Sequence, residues 1–182
     1  MPHGPITAEL LSLVELFHES PEDLGEFHAV AASSLAQPYR ELLAHPHHMT
    51  VTVERFHKSP VDVRVLDTKV AGDRYMRRIL LTRQSDGRVV QFGIVRLNFE
   101  FLSPEVRREI ESKSIPLGRV LIKHDVLREI ELVAIWHVKP GPELCKVFGC
   151  EPNDITFGRT AIIHCNGEPA VELLEVVTPV QP

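Results

Sequence analysis

Cysteine is scarce in this chain. Cys145, Cys150 and Cys165 are its only three, and no two of them form a CxxC pair. An odd number without paired spacing points to free thiols in a reducing cytoplasm. Long apolar runs are missing as well. No stretch approaches the ~18 residues a transmembrane helix needs, so no membrane partner is expected. The stretch from Met1 to Phe17 has no basic segment and is interrupted by Glu9 and Glu15, so it does not read as a signal peptide. Basic residues are in deficit. Twenty Lys and Arg against 25 Asp and Glu give a formal charge of −5, which argues against a nucleic-acid partner recruited by electrostatics. There is no GxGxxG, no Walker loop and no GxSxG, so nucleotide binding and nucleophile-elbow chemistry have no support. Internal repeats and low-complexity segments are also absent.

What is present is an ordinary globular composition, 43% hydrophobic and 25% charged. The first third has helical punctuation. Leu10, Leu11, Leu13, Val14 and Phe17 suit a short amphipathic helix over 6–18. Ser20-Pro21-Glu22-Asp23 starts a second, predicted to run to about Ala32, with serine as N-cap and proline at the first position. A third covers Pro38 to Ala44, and His45-Pro46 ends it. The period then changes to two. Met49 to Phe56 alternates with β-branched residues and is predicted as a strand, followed by Val61 to Val70. Arg74 to Asn98 reads as two strands joined at Gln84-Ser85-Asp86-Gly87, the strongest hairpin signal in the chain. Ser103-Pro104-Glu105 starts another helix, Ile115 to Val120 is a tight connection, and Ile130 to Val138 is a strand. A helical turn from Glu143 to Phe148 precedes a last hairpin, 155–165 and 170–177, across Asn166-Gly167. This order implies an α+β protein with a single antiparallel sheet of about six strands, its N-terminal and flap helices covering one face or end. Residues 1–182 read as one domain, with 1–47 a helical cover and 48–182 the sheet and flaps.

Two groups of residues invite a chemical reading. His45, His47 and His48 cluster around a proline, but no further ligand lies at helical spacing, so a surface turn is expected and no metal. Arg74, Arg77, Arg78 and Arg83 crowd one strand. Neighbours on a strand face opposite ways, so one of Arg77 and Arg78 points into an apolar hairpin, where an arginine is costly unless it meets an anion. Glu172 and Glu175 lie among aliphatics in the last strand, on opposite faces, and one of them can point inward.

Four short segments, in order across residues 49–179, give the chain a familiar pattern. They are Met49-Thr50 with Val53-Glu54; Arg77-Arg78-Ile79-Leu80-Leu81 with Asp86-Gly87; Pro116-Leu117-Gly118-Arg119; and Asn166-Gly167-Glu168-Pro169 with Glu175 and Pro179 beyond. Together they resemble the chorismate lyase-like family. The resemblance implies a six-stranded antiparallel sheet around a buried, cofactor-free site closed by helical flaps. It places substrate binding on Met49, Thr50, Arg77, Leu117, Gly118 and Glu175, with Arg77 and Glu175 as the catalytic pair. It implies a lyase that eliminates pyruvate from chorismate, a cyclic dicarboxylate, to give 4-hydroxybenzoate, in a monomer or weak dimer. Two departures accompany it. A family arginine falls on Ile94, and the spacing to the glutamate leaves Glu172 as a rival to Glu175. The competing class is a non-catalytic effector-binding module of the same fold. Such modules usually follow a helix-turn-helix domain, whereas only ~45 residues precede the sheet here, without a basic recognition helix. A lyase acting on a related cyclic dicarboxylate is the third reading.

Overall fold

The computed structural model describes residues 6–180, so the first five residues of the stretch read above as lacking a signal peptide lie outside it. The chain opens with α1 (Ala8–Val14) and the short α2 (Pro21–Leu24), then β1 (Gly25–Val30). Next come α3 (Tyr39–Leu43) and α4 (Met49–His57). β2 (Val61–Ala71), β3 (Arg74–Arg83) and β4 (Val89–Asn98) follow as a meander. α5 (Pro104–Glu111) and α6 (Leu117–Lys123) lead to β5 (Arg128–Pro140), α7 (Pro142–Phe148), β6 (Thr156–Cys165) and β7 (Glu168–Val177). All pairings are antiparallel, in one sheet ordered β1-β5-β6-β7-β4-β3-β2. The architecture is therefore α+β with one antiparallel sheet, of seven strands where about six were expected.

The additional strand is β1, in a region predicted to be helical as far as Ala32. The helix stops after one turn because Gly25 sits at φ 152°, and a Cβ there would stand 2.5 Å from the Lys139 carbonyl oxygen. Only glycine lets this backbone press against β5. From there the chain pairs with β5, from Gly25 opposite Pro140 to Val30 opposite Ile135.

A second correction concerns Met49 to Phe56, predicted as a strand and observed as helix α4. Its β-branched residues alternate, yet the buried set is Met49, Thr50, Thr52 and Val53, which suits one face of a helix. Packing against the sheet overrides a strand preference that is only a preference for half-buried surfaces. Lys58 ends the helix in the left-handed region, at φ 51°. The predicted tight connection at 115–120 likewise proves to be the start of α6.

Strand alternation sorts the core onto two faces. Leu80, Phe92, Ile94, Trp136, Leu174 and Val176 pack with Leu10 and Leu13 of α1, Leu24 of α2 and Leu144 of α7. Ile79, Leu81, Val95, Leu97, Ile163 and Leu173 point the other way, under α3 to α6. On that second face the apolar core falls into two separate clusters, and the candidate site lies between them.

Candidate functional site

Arg77 lies on the face covered by α4 and α6. It is 1% exposed, and among the described residues its Nε and Nη1 meet no acceptor. Burial holds the guanidinium below the usual arginine range, an effect that Tyr75 beside it partly offsets. Arg78 takes the opposite face. There its Nη1 donates to Glu143 at 2.7 Å, and His18 contacts the other oxygen of the same carboxylate at 2.6 Å. The neighbouring arginines of β3 thus differ in kind. One has found its anion in the protein, and the other faces a cavity.

That cavity is small, about 40 Å³, and is bordered by α4, α6 and the sheet. The sheet supplies its floor. Ile79 stands opposite Gly93, Gly93 opposite Glu175, and Glu175 opposite Arg159. Gly93 contributes no side chain, and a Cβ there would lie 3.2 Å from Ile79 Cδ1, so glycine leaves the floor open at that position. Gln91 adds a second unsatisfied group. It is 2% exposed, its Oε1 has no partner among the described residues, and its Nε2 lies 3.5 Å from Glu175 Oε1. Met49, Thr50, Leu117 and Gly118 form the roof. The six sequence-derived site residues therefore all line one cavity, although Met49 and Thr50 arrive on a helix and not on a strand. Ile94, where a family arginine falls, points into the opposite core. Glu172 is also on that opposite face, held by Arg96 at 2.6 and 2.8 Å, so of the two glutamates it is Glu175 that faces the cavity.

Sequence reasoning missed Arg159. It is 1% exposed and fully engaged. Its Nε donates to Glu175 Oε2 at 2.8 Å, Nη1 to the His45 carbonyl at 2.8 Å, and Nη2 to the His47 carbonyl at 2.9 Å. One side chain thus ties the floor glutamate to the segment leading into α4. The segment is a bend with Pro46 and His47 exposed, as the surface-turn expectation has it, but its last histidine is buried. His48 is 9% exposed, caps the start of α4 without a side-chain hydrogen bond, and accepts from Arg128 Nε through its own Nε2 at 2.8 Å. The roof helices are tied to each other by an ion pair between Arg119 and Glu54, residues from two of the matched segments. The signal was partial, since Arg159 is the one Lys, Arg, Asp or Glu in its strand and Gln91 stands between Val90 and Phe92.

The electrostatics favour an anion. Among the described residues Arg77 pairs with no carboxylate, Glu175 is neutralised by Arg159, and the first N–H groups of the nine-residue α4 have no intrahelical partner. His48 adds no charge. Burial first, then Arg128 and Arg159, pushes its pKa down to about 4, and His45 is lowered to about 4 by burial and Arg159. In an unfolded chain both would titrate near 6.5. Because their folded values are depressed, the unfolded state binds more protons between those limits. The stability they contribute is present above about pH 6.5 and lost as pH falls towards 4. The urea midpoint is expected to decline from pH 7 to 4.5, and to decline less in a His48→Gln protein. Superimposable pH profiles would show that His48 is not held neutral.

No protein-family model matches the sequence, and no curated protein does. Solved structures do share the fold. The effector domain of PhnF from Mycobacterium smegmatis superposes with a TM-score of 0.52 at 11% identity, over 72% of this chain and 88% of that one. The PhnF chain itself gives 0.50 at 11% identity over 72% of this chain, and the match spans 63% of PhnF. The fold is of the chorismate lyase-like class. The expectation of a chorismate-cleaving enzyme is corrected by this comparison, because the fold's match is an effector domain. The site agrees with the correction. Glu175, expected to handle the ring hydroxyl or a proton, accepts through Oε2 from Arg159, which also donates to the His45 and His47 carbonyls.

Proposed function

We propose that this domain is a non-catalytic small-molecule-binding module that takes an organic anion at Arg77. The observation that carries the reading is a buried arginine, two of whose nitrogens meet no acceptor among the described residues. A guanidinium in such a place is costly in the empty protein and suited to a carboxylate or phosphate, which it can grip with two parallel hydrogen bonds. The start of α4 and the floor at Gly93, which has no side chain, give that anion a positive setting. Glu175 is paired with Arg159 and leaves Arg77 as the cation facing the cavity, which suits binding of an anion. The reading places any nucleic-acid contact outside this domain, whose own formal charge is −5.

Calorimetric titration with organic acids and with their neutral amides tests it. The acids are expected to bind and the amides to bind at least tenfold more weakly, since a charge-assisted pair is worth about 1.5–3 kcal/mol. Chorismate incubated with the protein is expected to release no pyruvate. Equal binding of acid and amide would overturn the assignment of Arg77.

A further inference from the structure

The cavity at Arg77 is too small for a whole ligand. Its 40 Å³ compares with roughly 300–1,000 Å³ for typical small-molecule sites. Directly beyond His48, however, lies an open groove of about 870 Å³ between α4, α6 and the start of β5. Val51, Ile122, Val126, Leu127 and Ile130 give it an apolar lining, with Asp125, Arg128 and Glu129 also along it. Three of these apolar side chains are exposed for no structural reason of their own: Val51 at 46%, Ile122 at 41% and Leu127 at 74%. His48 belongs to both the cavity and the groove and is the wall that divides them. Two contacts hold that wall. Arg128, itself in the groove, donates to His48 Nε2 at 2.8 Å, and the imidazole packs against Gly118, where an added Cβ would stand 3.2 Å from it. A neutral histidine held by one side-chain hydrogen bond at the edge of a groove is a modest barrier. Turning it aside would join the two spaces and release Arg128 Nε beside the opening, while Nη1 stays on the Val126 carbonyl at 2.9 Å.

We propose that cavity and groove form one site for an amphipathic organic acid, with its anionic head on Arg77, its apolar tail along Val51, Ile122 and Leu127, and His48 as the gate between them. The inference rests on the reading of Arg77 as the anion anchor and adds the class of ligand. The alternatives for an apolar groove, a protein segment or a second copy of the chain, leave the continuity with Arg77 through His48 without a purpose.

The test is a calorimetric series of acetate, butanoate, hexanoate and octanoate with the full chain. Affinity is expected to rise up to about fourfold for each methylene that leaves water, once the tail passes His48. The double substitution Val51→Ser with Leu127→Ser is expected to flatten that rise and leave acetate unchanged. His48→Ala is expected to strengthen octanoate binding more than acetate binding. Arg77→Met is expected to weaken every member of the series. Acids that bind through Arg77 with no dependence on chain length would overturn the shared site and leave the Arg77 reading standing. Length dependence that survives Arg77→Met, or survives the groove substitutions, would put the tail elsewhere and overturn the inference. Failure of every acid to bind would overturn both.

Discussion

Replacing Arg77 with methionine is expected to give a more stable protein that binds organic acids more weakly. The guanidinium is buried and, among the described residues, has no carboxylate partner and two nitrogens without an acceptor, so the native fold carries its desolvation cost without return. Methionine fills much the same volume and adapts to an irregular apolar wall. Replacing buried charge with packed apolar side chains is neutral to stabilising by about 1–4 kcal/mol in comparable cases, and a gain of about 1–3 kcal/mol is expected here. The urea midpoint, read beside the acid titration, checks both halves. A loss of stability above about 1 kcal/mol would show that Arg77 is structural and that the cavity is not built for a ligand.

The same substitution at Arg159 is expected to act with the opposite sign. Arg159 is as deeply buried as Arg77, but each of its three nitrogens donates, to Glu175 and to the carbonyls of His45 and His47. Arg159→Met strands a mostly buried carboxylate and two backbone acceptors together. Breaking one side of a buried pair costs about 3–5 kcal/mol, and that is the loss expected. The double change Arg159→Met with Glu175→Leu is expected to recover part of it, because it removes both charges. The Arg159→Met protein should also bind acids poorly, since Arg159 positions the entry to α4. Equal stability of the Arg77→Met and Arg159→Met proteins would sink the distinction between an anchor left open and a clamp already closed.

Much of this arrangement was legible in the residues alone. The hairpin at Asp86-Gly87, the last hairpin at Asn166-Gly167 and the serine-capped helix at Ser103 follow from local turn and cap chemistry, and they appear where that chemistry puts them. The elements that escaped depend on partners distant in sequence. β1 exists because Gly25 can approach Lys139, a contact 114 positions away that no local window contains. α4 has strand-like composition, and only the sheet beneath it selects the helix. The site shows the same division. Alternation separates Arg77 from Arg78 but gives no sign of which has a partner, since Glu143 comes from α7 on the far face. Arg159 was visible as a lone charge in an apolar strand. Its role depends on register, which sets it opposite Glu175, and on His45 and His47 lying over it.

The strand order has a consequence for biosynthesis. β7 sits at the centre of the sheet and joins β5–β6 on one side to β4–β3–β2 on the other, yet it is the last strand to be made among the described residues. The meander β2–β3–β4 can form early from local contacts, but until β7 arrives the long, apolar edge of β4 stays unpaired. Pairing across such sequence separations is slow, and an open edge of that kind is a template for association with other chains. The nascent protein therefore passes through a stage in which a half-built sheet, ending in Val89 to Asn98, must be shielded while translation continues. A chain cut short before Glu168 would be left at that stage, with both halves of the sheet and nothing to join them.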